Sequence, residues 1–186
     1  GKLSNFLYVN NVFTFTHGKG LTIGDITKAR IYNNTFYGVN PTLANGQGQI
    51  WIKGKSTNVD VRNNIVFSDV KTSFNGGLYG VFINIPRSEV TMDNNLYWST
   101  DPKAPMIKIQ GITGSFQTSE WTAYKSTTGW GANSPKPKDP GFVNAPGDLH
   151  VTAQSPAKGK AAPLPAVTTD YEGKARGATP TIGAYE

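Results

Sequence analysis

Lys53 sits in the run IWIKGK at 50–55, where an aromatic and two lysines alternate with isoleucines. Side chains two apart on an extended chain share one face. Ile50 and Ile52 therefore point one way and Trp51 and Lys53 the other. The runs VFINI at 81–85, IKIQ at 107–110 and LTI at 21–23 repeat the pattern and add Phe82 with Asn84, Lys108 with Gln110, and Thr22 to that second face. Aromatic faces stack on sugar rings, while ammonium and amide donors hold carboxylates and hydroxyls. A lysine in this company also suits β-elimination from a uronate, which needs a base for the proton alpha to the carboxyl group and a cation or metal to neutralise that carboxylate. Lys53 is the candidate base, since Lys55 or Lys108 nearby would favour its neutral form. Trp51 and Phe82 are then sugar platforms, and Lys55, Lys108, Asn84 and Gln110 are substrate contacts. The plainer alternative is that the lysines are solvated and the aromatics lie under a loop.

These runs become neighbours only if something aligns them. Four copies of an extended stretch closed by a doubled asparagine supply the alignment: LYVNNVF at 7–13, ARIYNNTF at 29–36, VDVRNNIVF at 59–67 and VTMDNNLYW at 90–98. The first asparagines, Asn10, Asn33, Asn63 and Asn94, are spaced 23, 30 and 31 residues apart. Repeats of this length stack, because no single unit can bury its own apolar face. Each period holds one extended stretch before the asparagines, one after them and a third beyond a loop, which predicts an all-β chain with three parallel sheets, a single-stranded parallel β-helix of about four regular coils. Parity places Asn33, Asn63 and Asn94 inward with the aliphatic residues before them, and leaves the second asparagine of each pair for the left-handed turn. The loops that vary most, at 16–20, 38–48, 68–79 and 99–105, fall at one corner and would form the rim of a functional face.

Composition fits this architecture. The 186 residues include 21 Gly, 12 Pro and no Cys, which favours turns and strands and excludes disulfides and thiolate metal sites. No stretch approaches the length of an apolar membrane span. A net charge of +6 favours acidic partners. The basic residues are dispersed and no nucleic-acid motif is present, so an acidic polysaccharide is preferred to nucleic acid. The sequence opens on Gly1, without Met or a signal peptide, and enters the first repeat with no polar cap, so an upstream segment or a second chain is expected to complete the stack.

Residues 1–118 carry the regular coils, and 119–186 read as irregular final coils with a C-terminal cap. The NNxF signatures, the W…TG…DPGFV…DLHV…SPA segment and the TDYEGKARGATPTIGAYE ending resemble the C-terminal part of the bacterial right-handed parallel β-helix, pectate-lyase-like superfamily. The resemblance implies that fold, a secreted or cell-surface location, a substrate groove on the third sheet, and lysine or arginine bases as in its polysaccharide lyases. It does not choose among lyases, glycoside hydrolases, epimerases and non-catalytic binding proteins. Asp139, Pro140, Phe142, Asp148, His150, Ser155, Pro156, Asp170, Gly173, Arg176, Gly183 and Tyr185 belong to the terminal signature and read as cap architecture.

Other candidates carry plainer explanations. Arg30, Asp60 and Thr91, and likewise Tyr32, Arg62 and Asp93, fall at equivalent outward positions and read as cross-strand ion pairs. His17 lies in a Gly-rich loop at the rim. Asp25, Asp69 and Asp101 are candidates for Ca²⁺, although Asx turns explain them equally. The third face offers no Asp or Glu, which disfavours a hydrolase built on paired carboxylates.

Overall fold

The computed structural model describes residues 3–14, 20–38, 47–69 and 78–186. Three sheets dominate, and all twelve strands of the four repeats pair in parallel. The first sheet comprises Leu7–Val9, Arg30–Tyr32, Val59–Arg62 and Val90–Asp93; the second Val12–Thr14, Thr35–Gly38, Ile65–Ser68 and Leu96–Ser99. The third comprises Leu21–Gly24, Gln47–Lys53, Leu78–Ile83 and Pro105–Ile109, closed by an antiparallel Phe116–Gln117. Stacked strands with a buried asparagine ladder are consistent with a parallel β-helix. Short strands are enough because each coil donates its apolar side chains to one interior: Ile31, Val61 and Met92 from the first sheet, Phe36, Val66 and Tyr97 from the second, and Ile23, Ile52, Ile83 and Ile109 from the third.

The asparagines exchange the roles that parity assigned them. Asn10, Asn33, Asn63 and Asn94, the first of each pair, take the left-handed conformation with φ of 55, 52, 60 and 51°. The second of each pair forms the inner ladder. Asn34 donates its backbone N–H (3.0 Å) and Nδ2 (2.9 Å) to Asn64 Oδ1, and Asn64 repeats both bonds to Asn95 Oδ1 (2.9 and 2.9 Å). The reason is local: a left-handed residue bends the strand sharply, so alternation stops there and the next residue enters the corner.

The first asparagines instead face outward and hold the C-terminal segment. Asn94 Nδ2 donates to the Lys160 carbonyl (3.1 Å), Asn63 to Ala162 (2.8 Å), Asn33 to Thr181 (3.4 Å) and Asn10 to Thr169 (2.7 Å). Residues 155–186 thus run along the flank of the stack and do not add a coil to its end. Their apolar residues, Ala157, Ala161 and Ile182, join Leu149 against the outward Tyr37, Ile65, Phe67 and Leu96, so the central strands Thr35–Gly38 and Ile65–Ser68 of the second sheet are buried on both faces. Gly183 is required there, since a Cβ would stand 2.8 Å from Ile65 Cδ1 at a φ of 103°. Arg176, its side chain 3% exposed, locks the segment by donating to Asn10 Oδ1 (3.0 Å), to Glu186 Oε2 (3.1 Å) and to carbonyls including Gly183 (2.9 Å).

The end of the stack is closed by the helix Trp121–Thr128. Its Trp121 and Tyr124 rings pack on Tyr97 at 5.9 and 6.5 Å, and Ser134 Oγ accepts the Asn95 N–H (3.0 Å) in place of a further rung. His150 ties the strand Asp148–Val151 to the turn before the terminus, with Nδ1 2.7 Å from Asp148 Oδ1 and Nε2 3.2 Å from Glu172 Oε2. Partial burial disfavours its imidazolium, but the bonds to the two carboxylates outweigh that and hold its pKa above the usual histidine value.

Two measurements check these assignments. Asn64→Leu should cost about 2–4 kcal/mol in denaturant unfolding, because it leaves the Asn34 donors buried without an acceptor, whereas Asn94→Gly should cost less than about 1 kcal/mol; the reverse order would restore the parity assignment. For His150, a raised folded pKa means the stabilisation is complete below the unfolded pKa of about 6.5 and is lost as pH rises through the folded value. The unfolding free energy should fall from about pH 6 to pH 8 by under about 1 kcal/mol, given the exposure of the pair, and His150→Gln should flatten this slope.

Candidate functional site

The third sheet brings the outward residues into two rows. Strand register aligns Thr22, Trp51, Phe82 and Lys108 across four coils. Gly24 and Lys53 begin the second row, and Asn84 and Gln110 continue it, each donating its N–H to the coil before, at the Ile52 and Ile83 carbonyls (2.7 Å each). The rows arise because Ile50, Ile52, Val81, Ile83, Ile107 and Ile109 are all committed to the interior, which turns the intervening side chains out.

Trp51 and Phe82 lie with ring centroids 6.1 Å apart and parallel planes within 2°, one ring stacked on the next across two coils. Lys53 Nζ stands 4.4 Å from the centroid of the Trp51 ring, a cation–π contact worth about 0.5–1 kcal/mol where partly solvated. Asn84 and Gln110 expose their amides next in line. The described outward positions of these rows contain no acidic side chain, so the face combines an aromatic stack with donors and positive charge.

Two lysines stand apart from this picture. Lys108 keeps its place in the row, but its ammonium donates to the Ile112 carbonyl at 3.1 Å and also to the Gly114 carbonyl, so it clasps its own turn. Lys55 follows the left-handed Gly54 (φ 69°) in the turn beyond the strand and lies on neither row; its backbone N–H donates to Asp25 Oδ1 at 2.8 Å.

Tyr79 is a member that parity does not reveal. Its ring lies 5.4 Å from Phe82, although alternation back from Val81 would turn it inside. Gly80 explains the slip. A Cβ there would meet Met106 Cε at 2.8 Å and Val66 Cγ1 at 3.1 Å, so Gly80 and Val81 both face the core and Tyr79 is released. A glycine inside an otherwise alternating strand was the available signal.

The other candidates serve structure. Asp60 accepts from Tyr32 OH (2.7 Å), Arg62 Nε (2.8 Å) and Thr91 Oγ1 (2.9 Å), so Arg62 pairs along its own strand and not across to Asp93. Arg30 donates to the Asn58 carbonyl (3.0 Å), and Asp93 binds Asn133 (2.8 and 2.7 Å). Burial first, and then the Asp60 bond, raise the Tyr32 pKa above the usual phenol value. Of the Ca²⁺ candidates, Asp25 braces a turn, Asp101 accepts the Lys103 N–H (2.9 Å), and Asp69 accepts from Tyr37 OH and Thr100 Oγ1 (3.4 Å each). Among the described residues no group of three or more His, Asp or Glu side chains is gathered to hold a metal ion. His17, and most of the rim loops at 16–20, 38–48 and 68–79, lie outside the described residues.

No family model, curated protein or solved structure matches this chain.

Proposed function

We propose that the chain is a right-handed parallel β-helix of the pectate-lyase-like kind and that the outer face of its third sheet binds an acidic polysaccharide, on which it acts as a lyase. The observation that carries this reading is the parallel Trp51–Phe82 stack with Lys53 Nζ seated over the Trp51 ring. Sugar rings can pack against the apolar surface that the aromatic stack presents, and Asn84 and Gln110 donate to carboxylate or hydroxyl oxygens. In the lyase step, Lys53 in its neutral form takes the proton alpha to the carboxyl group. The electron pair left on that carbon forms the new double bond and expels the glycosidic oxygen at the β position. The reading carries with it a secreted or cell-surface location in a bacterium.

A second reading is binding without turnover, as in a cell-surface module. It is favoured by the position of Lys53 over Trp51 as a cation and by the engagement of Lys108 with its own turn, which leaves the lyase step without an evident second cation on the described face.

Incubating the protein with a panel of polyuronates distinguishes the two. A lyase produces an unsaturated sugar that absorbs in the ultraviolet, and Lys53→Ala should lower that rate at least about 100-fold. Trp51→Ala should weaken retention on the same glycan about tenfold in either case. Retention that depends on Trp51 with no product selects the binding module, and retention unaffected by Trp51→Ala removes the third sheet from the account.

A further inference from the structure

The asparagine ladder has a direction, and its two ends differ. Each rung donates a backbone N–H and an Nδ2 proton to Oδ1 of the rung in the next coil; because a backbone N–H can only donate, this fixes which way every amide points. Each rung after the first also sends Nδ2 back to a carbonyl of the coil before it: Asn34 to Tyr8 (3.0 Å), Asn64 to Ile31 (2.9 Å) and Asn95 to Val61 (2.8 Å). At the far end, Ser134 Oγ substitutes for the next acceptor and the helix Trp121–Thr128 covers the core. At the near end nothing comparable is found among the described residues. Asn11 gives its N–H and Nδ2 to Asn34 Oδ1 (2.9 Å each), but no described residue donates to its own Oδ1, and among the described residues its amide reaches back to Val9 of its own coil (3.1 Å).

Among the described residues, three strands at the same end have no partner on their outer edge. Leu7–Val9, Val12–Thr14 and Leu21–Gly24 are each the last strand of their sheets. Leu3 and Leu7 are 61% and 47% exposed, and Phe6, Tyr8, Phe13 and Leu21 are only partly covered at the end of the main core. An apolar floor ringed by unpaired strand edges is a surface for strand addition.

We propose that this end face docks one further parallel β-coil whose rung position carries an asparagine. The polarity of the ladder chooses this occupant. An incoming coil in the same direction presents a backbone N–H and an Nδ2 to the waiting Asn11 Oδ1, and supplies the carbonyl that the Asn11 amide lacks. A second copy of this chain fits worse in either orientation. Head to tail, Ser134 and the helix block its far end; head to head, Asn11 Oδ1 would face another Asn11 Oδ1, acceptor against acceptor.

The test uses the full chain and a synthetic 28–58 peptide of its own sequence, one complete coil with Asn34 at the rung. At saturating peptide, amide exchange of residues 7–14 and 21–24 should slow about tenfold or more, while residues 96–109 stay unchanged. The same peptide with Asn34→Leu should bind about five- to tenfold more weakly, since it retains only the backbone donor. Leu7→Lys in the protein, which adds a charge to the open edge, should weaken binding comparably. The proposal is overturned by absent protection, by a scrambled peptide that protects equally, or by a concentration-dependent dimer in sedimentation that Leu7→Lys dissolves, the last of which would make a second copy the occupant.

Discussion

The paired hydrogen bonds from Asn34 to Asn64 and from Asn64 to Asn95 are the constraint on which the rest of the molecule depends. Each rung uses a backbone and a side-chain donor on one acceptor in the buried corner between the first and second sheets. Sliding one coil by a residue would break both bonds, leave polar groups unsatisfied at about 1–3 kcal/mol each, and turn every side chain to the opposite face. Residues far from the ladder inherit this register. Trp51 and Phe82 stack in parallel because Ile50 and Ile52 stand level with Val81 and Ile83, and those four are level because the corners are.

The doubled asparagine also divides labour between the faces of the stack. Its inner member holds the coils in step, and its outer member, bent into the left-handed region, holds the C-terminal segment. That segment closes the outer face of the second sheet with Ala157, Ala161 and Ile182, while Asp60 organises the first sheet with Tyr32, Arg62 and Thr91. The third sheet is the one whose outward rows carry a half-buried aromatic stack, a lysine and exposed amides.

What the sequence revealed follows from the same physics. Period-two alternation with a fixed repeat is a global property of parallel strands, so the rows through Trp51, Phe82 and Lys108 and through Lys53, Asn84 and Gln110 are legible in the order of the residues alone. Local conformational breaks are not. One left-handed residue reversed the two asparagines, and Gly80 released Tyr79 from the parity of Val81. The attachment of Lys108 to the turn at 112–114, and the path of 155–186 along the flank, depend on tertiary contacts that leave no periodic trace. Buried Asn63 and Asn33 illustrate the ambiguity: both lie out of solvent, but beneath the terminal segment and not within the coil.

The proposal most in need of measurement is that an acidic glycan binds the third sheet and no other face. Titrating isotope-labelled protein with a defined oligouronate and following side-chain resonances addresses it directly. The account predicts shifts at the Trp51 indole, the Lys53 ammonium and the Asn84 and Gln110 amides, with the rung amides of Asn34 and Asn64 unmoved. Shifts confined to the Arg30 and Arg62 side of the first sheet, or none at saturating oligosaccharide, would contradict it.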